Sequence, residues 1–113
     1  MNLSQEQQIF TQQIALLIIR ANSLGVNLTF GEAWRTKEQQ AIYVKEGKSK
    51  TMDSNHLRRL AVDFNFFIHG TLYDRHPLIS QLGNYWESLD KLNRWGGHFA
   101  YFYDGGHFER NSR

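Results

Sequence analysis

The sequence predicts a single domain of the α+β class. Three observations lead there: a long helical stripe near the N-terminus, separate stretches that alternate apolar and polar residues, and a tail rich in glycine and aromatics that reads as short strands. At 113 residues the chain suits one compact domain and is short for two. No internal repeat, low-complexity tract or linker divides it, so residues 1–113 are read as one unit.

Residues 4–24 read as an amphipathic helix. Ser4 is the expected N-cap with Gln7 three residues on, and Ile9, Phe10, Ile14, Leu17, Ile18 and Ala21 form the apolar stripe. Gly25 supplies the stop. From Val26 to Trp34 apolar and polar residues alternate, which predicts a strand. A short helix follows from Lys37 to Glu46, ended by Gly47, and the polar segment 48–54 is a loop. Leu60–Phe67 is rich in β-formers; its alternation places Ala61, Asp63 and Asn65 on one face and Val62, Phe64 and Phe66 on the other. Turns are marked by Gly70 and by 74–77, which ends in the single proline, Pro77. Leu78–Leu92 reads as a helix with Leu82, Tyr85, Trp86 and Leu89 on one side. The tail from Trp95 to Arg110 predicts two short strands joined by a turn near Asp104-Gly105-Gly106.

Composition narrows the chemistry. Hydrophobic residues are 41% and charged residues 21%, ordinary for a globular protein. With no cysteine, disulfides and thiolate ligands are excluded, and any metal must be held by His, Asp or Glu. A net charge of +2 draws the surface weakly toward anionic polymers and equally well serves solubility. There is no dense basic run or nucleic-acid motif, so a nucleic-acid partner is not expected. The apolar run from Ile14 to Ile19 is six residues long and ends at Arg20, too short to span a bilayer and without secretory flanks. The expectation is a protein made in the cytoplasm without an export signal and without stable membrane association.

Two segments carry candidate chemistry. In the first, His56 stands seven positions before Asp63, an aspartate set among Ala, Val and Phe. Burying such a carboxylate requires a neutralising partner, and a divalent cation or an arginine would serve. In the second, His107 lies in an aromatic, extended setting, with Asp104 three residues before and Glu109 two after. On a strand His107 and Glu109 share a face. Together the segments offer two histidines and several carboxylates, a donor set that suits a catalytic zinc with three protein ligands and an open position.

The spacing of these residues resembles a known family: the zinc peptidases that include vancomycin-resistance D-Ala-D-Ala dipeptidases and carboxypeptidases and phage L-alanyl-D-glutamate endolysins. Its pattern is Ser-x-His-x-x-Gly-x-Ala-x-Asp, then an acidic residue, two residues, and His. Ser54, His56, Ala61 and Asp63 match the first part, Asp104 and His107 the second, and Arg35 an upstream arginine after a strand. The resemblance spans roughly residues 28–109, with Arg59 standing where the family has glycine. It implies a small antiparallel sheet flanked by helices, the Hedgehog/D,D-peptidase-like fold, with zinc on the open sheet face. It also implies zinc bound by His56, Asp63 and His107, Asp104 as general base, and Arg35 near the scissile carbonyl. Glu109 is the rival base or a partner orienting a ligand, and Ser54 either bonds substrate or caps a turn. His69, His76 and His98 fall outside the pattern, and Trp34, Trp86 and Trp95 are expected in the core or cleft walls.

The implied activity is hydrolysis of peptidoglycan stem peptides by a monomer, first as a phage or prophage L-alanyl-D-glutamate endopeptidase that reaches the wall through a separate permeabilising protein. A D-alanyl-D-alanine carboxypeptidase or dipeptidase is the alternative, and a non-catalytic zinc domain of the same fold the third reading.

Overall fold

Helix α1 (Leu3–Ser23) begins one residue earlier than its apolar stripe suggests, and its cap is Asn2 rather than Ser4. Asn2 Oδ1 accepts the Gln5 N–H at 2.9 Å while Gln5 Oε1 accepts the Asn2 N–H at 2.9 Å, a reciprocal box that Ser4 and Gln7 do not form. Gly25, at φ 77°, turns the chain into β1 (Val26–Phe30). The computed structural model describes residues 1–49 and 51–112. Lys50, in the predicted 48–54 loop, and Arg113 lie outside the described residues.

After β1 come α2 (Lys37–Lys45), β2 (Ala61–Ile68), β3 (Thr71–Tyr73), α3 (Pro77–Leu89), β4 (Asn93–Trp95) and β5 (His107–Arg110), with 3-10 turns at Asn55–Arg58 and Gly96–His98. The strands form an antiparallel sheet in the order β1-β2-β5-β4, and β3 also pairs with β2. The long strand β2 is therefore the spine. It pairs Val26–Phe30 through residues 64–68, and on its other edge pairs β3 and then β5.

The structure departs from the sequence expectations at four places. Strand β1 stops at Phe30 instead of reaching Trp34, although Gly31 N still donates to Asp63 O and Asp63 N to Glu32 O, both at 2.7 Å. Strand β3 (Thr71–Tyr73) lies between the two expected turns, in a stretch for which the sequence predicts no element. The two-residue link His69-Gly70 has φ of 51° and 77°, the all-positive pattern of a tight hairpin turn, and His at its first position is a weak signal for it. Helix α3 ends at Leu89, three residues short, because Asp90 turns extended and its side chain accepts the Leu92 N–H at 2.9 Å. Finally, of the two strands expected between Trp95 and Arg110 only β5 lies there; its partner β4 sits earlier, at Asn93–Trp95, and residues 96–106 connect them, a longer path than a turn at Asp104-Gly105-Gly106.

One face of the sheet is covered by α1 and α3. Phe10, Ile14, Leu17 and Ala21 of α1 and Ile79, Leu82 and Trp86 of α3 enclose Val62, Phe64, Phe66, Ile68 and Phe108. Burying each large apolar side chain contributes roughly 1.5–3 kcal/mol, so this layer holds the sheet. Pleating then turns Ala61, Asp63 and Asn65 of β2, and His107 and Glu109 of β5, toward the opposite face.

Candidate metal centre

Register brings the two sequence segments together. Asp63 on β2 is the direct partner of His107 on β5, so their side chains share a face at one rung of the ladder. His56 arrives from the 3-10 turn that precedes β2. Ser54 caps that turn, its hydroxyl accepting the His56 N–H at 3.2 Å, so here the residue serves backbone geometry. Arg59 closes the turn in the left-handed region at φ 58°, which explains why glycine suits this position. Its side chain points away from the turn, with the guanidinium 4.8 Å from the centre of the Trp34 ring.

Asp63 faces both histidines. Its Oδ2 lies 3.3 Å from His56 Nε2 and its Oδ1 lies 3.2 Å from His107 Nδ1, and the two imidazole centroids are 5.0 Å apart. One ligand atom from each of His56, Asp63 and His107 falls within 4.8 Å of the other two, the requirement for a shared cation. Donors bound tetrahedrally at about 2.0–2.1 Å stand roughly 3.4 Å apart, close to these carboxylate–imidazole separations. Nitrogen and carboxylate donors without thiolate suit zinc, and three protein donors leave a position for a fourth ligand.

The histidines are unequally braced. His107 Nε2 meets Glu109 Oε1 at 2.7 Å, which leaves Nδ1 turned to Asp63. Phe99 packs beside the ring with centroids 5.5 Å apart. His56 Nδ1 is buried without a hydrogen-bond partner among the described residues, so this ring is placed by its turn, by packing and by Asp63 at its Nε2.

Electrostatics follow this geometry. Burial alone pushes the Asp63 carboxyl up, but hydrogen bonds to His107 and His56 outweigh it and hold the group well below the usual carboxylate range. Burial pulls the His107 imidazole down, whereas its bonds to Asp63 and Glu109 carry it up to about 9. The two carboxylates thus favour the protonated imidazole, and a cation taken up at Nδ1 would compete with that proton. Burial raises the Asp104 carboxyl, partly offset by the charge of His107 and reinforced by that of Asp63. Asp104 is also within electrostatic reach of His56 and Arg35.

Arg35 is anchored beside the site. Its backbone N–H donates to His56 O at 3.3 Å. The guanidinium donates through Nε and Nη2 to Glu32 Oε1 at 2.9 and 2.5 Å and through Nη1 to Gln40 Oε1 at 2.7 Å, and it lies 4.7 Å over the Tyr43 ring. The Glu32–Gln40–Tyr43 cradle is not legible in the sequence, since the segment after β1 supplies Glu32 and helix α2 supplies Gln40 and Tyr43. Of the other histidines, His98 pairs with Glu87 at 2.8 Å and His76 caps α3 through Nδ1, 3.1 Å from the Leu78 N–H. Trp86 and Trp95 are buried in the core, while Trp34 is half exposed.

The model of the M15 peptidase family described as D-alanyl-D-alanine carboxypeptidase matches residues 47–110, more than half of the chain and the stretch that contains His56, Asp63, Asp104 and His107. The chain belongs to this family. It is 36% identical over 93 residues to the L-alanyl-D-glutamate peptidase of Listeria phage A118, a match covering 80% of this chain and 33% of the relative. The chain therefore spans about a third of the length of that curated relative. The fold is similar to the crystal structure of the L-Ala D-Glu endopeptidase ChiX of Serratia marcescens, with a TM-score of 0.69 and 25% identity, over 84% of this chain and 75% of that one. The D,D-peptidase-like α+β fold expected from the sequence is thus present.

Proposed function

We propose that this chain is a zinc peptidase that hydrolyses peptidoglycan stem peptides at the L-alanyl-D-glutamate bond. The observation that carries the reading is the convergence of His56, Asp63 and His107 from a 3-10 turn and two paired strands. Support for the bond comes from the phage peptidase and from ChiX, whose names specify it.

In this reading His56, Asp63 and His107 hold the metal, which supplies Lewis acidity and makes a nucleophilic water available near neutral pH. Glu109 accepts the Nε2 proton of His107 and so keeps Nδ1 free for coordination. Asp104 takes the proton of the attacking water and delivers it to the departing amine. Its carboxyl is raised by burial, which brings it closer to the pH at which it must both accept and give a proton. Arg35 uses three of its five N–H groups on Glu32 and Gln40 and offers the remainder to the oxygen of the polarised carbonyl. Delivery to the wall by a separate permeabilising protein, and action as a monomer, belong to the same proposal.

Purified sacculi digested with the protein, with and without prior chelation, test the proposal. New L-Ala C-termini and D-Glu N-termini, detected by mass spectrometry and lost on chelation, are expected. Release of free D-Ala without those termini favours the D-alanyl-D-alanine carboxypeptidase reading that the matched family description carries. Metal retention with no cleavage of either bond leaves the non-catalytic zinc domain.

A further inference from the structure

We infer that Arg94 is a positioning residue for the metal centre, acting through Glu109; this rests on the proposal that His107 is a ligand. Arg94 sits on β4, one strand beyond β5, and its register partner is Glu109. Its guanidinium donates from Nε at 2.9 Å and from Nη2 at 2.7 Å, both to Glu109 Oε2. Asn55 Nδ2 donates to the same oxygen at 2.9 Å. Oε2 is thus held by three N–H groups, and Oε1 is left to receive His107 Nε2 at 2.7 Å.

The division of labour between the two oxygens matters. A buried glutamate one rung from a His/Asp/His cluster can rotate, lose its bond to His107, and offer its own oxygen to a cation. Three donors on Oε2 oppose that rotation, because turning the carboxylate would break all three hydrogen bonds, two of them from a charged guanidinium. The clamp also joins both ligand-bearing segments, since Asn55 is the chain neighbour of His56 and Glu109 stands two residues from His107. Arg94 also touches the aromatic ring that packs on this imidazole. Its guanidinium lies 5.5 Å from the centre of the Phe99 ring, and Phe99 is the ring packed against His107.

Arg94 is suited to a test because its side chain is 52% exposed, so replacing it removes little core packing. Zinc affinity is read by competition with a chromophoric chelator for wild type, Arg94→Gln and Arg94→Lys. Long-range proton–nitrogen NMR of the zinc-loaded proteins reads which His107 nitrogen carries hydrogen. Expected are a loss of about 10–100-fold in affinity for Arg94→Gln, partial recovery in Arg94→Lys, and weakening of the Nε2–H signature in parallel. The metal-free Arg94→Gln protein should still unfold cooperatively, at a lower temperature than wild type because buried Glu109 loses a charged partner, with Arg94→Lys between the two. Wild-type affinity and an intact Nε2–H signature in Arg94→Gln would overturn the clamp and leave the metal site standing. Failure of the wild type itself to bind zinc would overturn the metal-site reading, and the clamp with it.

Discussion

Asp104 and Glu109 flank His107, and their surroundings separate their roles. Glu109 is 4% exposed, and its carboxylate is already engaged by His107, Arg94 and Asn55. Burial would raise it, but those partners, His107 first, hold it low and ionised. Asp104 is only partly buried, and its carboxyl is pushed upward. Asp104→Ala should therefore retain zinc while losing about 10²–10⁴-fold in peptide cleavage, checked by metal content and by the sacculus digest. Undiminished cleavage would hand the base role to another group. Arg59 offers a second test at this scale. Its left-handed backbone costs on the order of 1 kcal/mol for a side chain other than glycine, and its stacking on Trp34 returns about 0.5–1 kcal/mol. Arg59→Gly should leave unfolding free energy within about 1 kcal/mol of wild type, whereas Arg59→Val should lose roughly 1–2 kcal/mol. Urea midpoints decide between these outcomes, and equal stability of the two variants would show that the turn does not demand φ of 58°.

Among the elements, α3 shows how packing overrides propensity. Gly83 sits inside this helix, where alanine would ordinarily gain about 1 kcal/mol. A Cβ at Gly83, however, would lie 2.0 Å from the Trp95 indole, which is itself fixed by a 2.8 Å bond from Nε1 to Gly105 O. Gly83→Ala should thus destabilise by about 1–3 kcal/mol, measured by denaturant unfolding; a stabilised variant would mean that Trp95 yields. Helix α1 and the spine β2 were legible because each carries a long, regular period. Strand β3 and the end of α3 were not, because a three-residue strand has almost no period and Asp90 acts through its own side chain. The Glu32–Arg35–Gln40 cluster was equally hidden, since nothing in local spacing announces which carboxylate an arginine will choose.

Across the whole molecule, Arg110 ties the N-terminal helix to the C-terminal strand. It is 4% exposed, donates Nε to Glu6 of α1, and donates Nη1 to Asp90 at 2.7 Å. Removing it strands two carboxylates against the core, so Arg110→Met should cost about 2–4 kcal/mol, seen as a lower urea midpoint. The same cluster gives a pH dependence. Accepting the Leu92 N–H holds the Asp90 carboxyl below its ordinary value of 3.8, against a push from burial and with help from Arg110. A group lowered by folding stabilises above its unfolded pKa, and that contribution fades as pH falls through the lower folded value. Asp90→Asn should flatten this part of the acid limb of the stability curve; an unchanged limb would remove Asp90 from the account.

The periodicities of α1, β2 and α3, and the pattern linking Ser54, His56, Asp63, Asp104 and His107, were written in the chain itself and sufficed for the fold class and the candidate residues. Register was decided only in three dimensions. Pairing Asp63 opposite His107, and Glu109 opposite Arg94, depends on which edges of β2 and β5 meet. Local spacing states which side of a strand a residue occupies, but not which residue of a distant strand faces it. That choice is made by the apolar layer beneath, where Val62, Phe64 and Phe108 must reach α1 and α3, because shifting β5 by one residue would turn His107 into the core and Phe108 out to the open face.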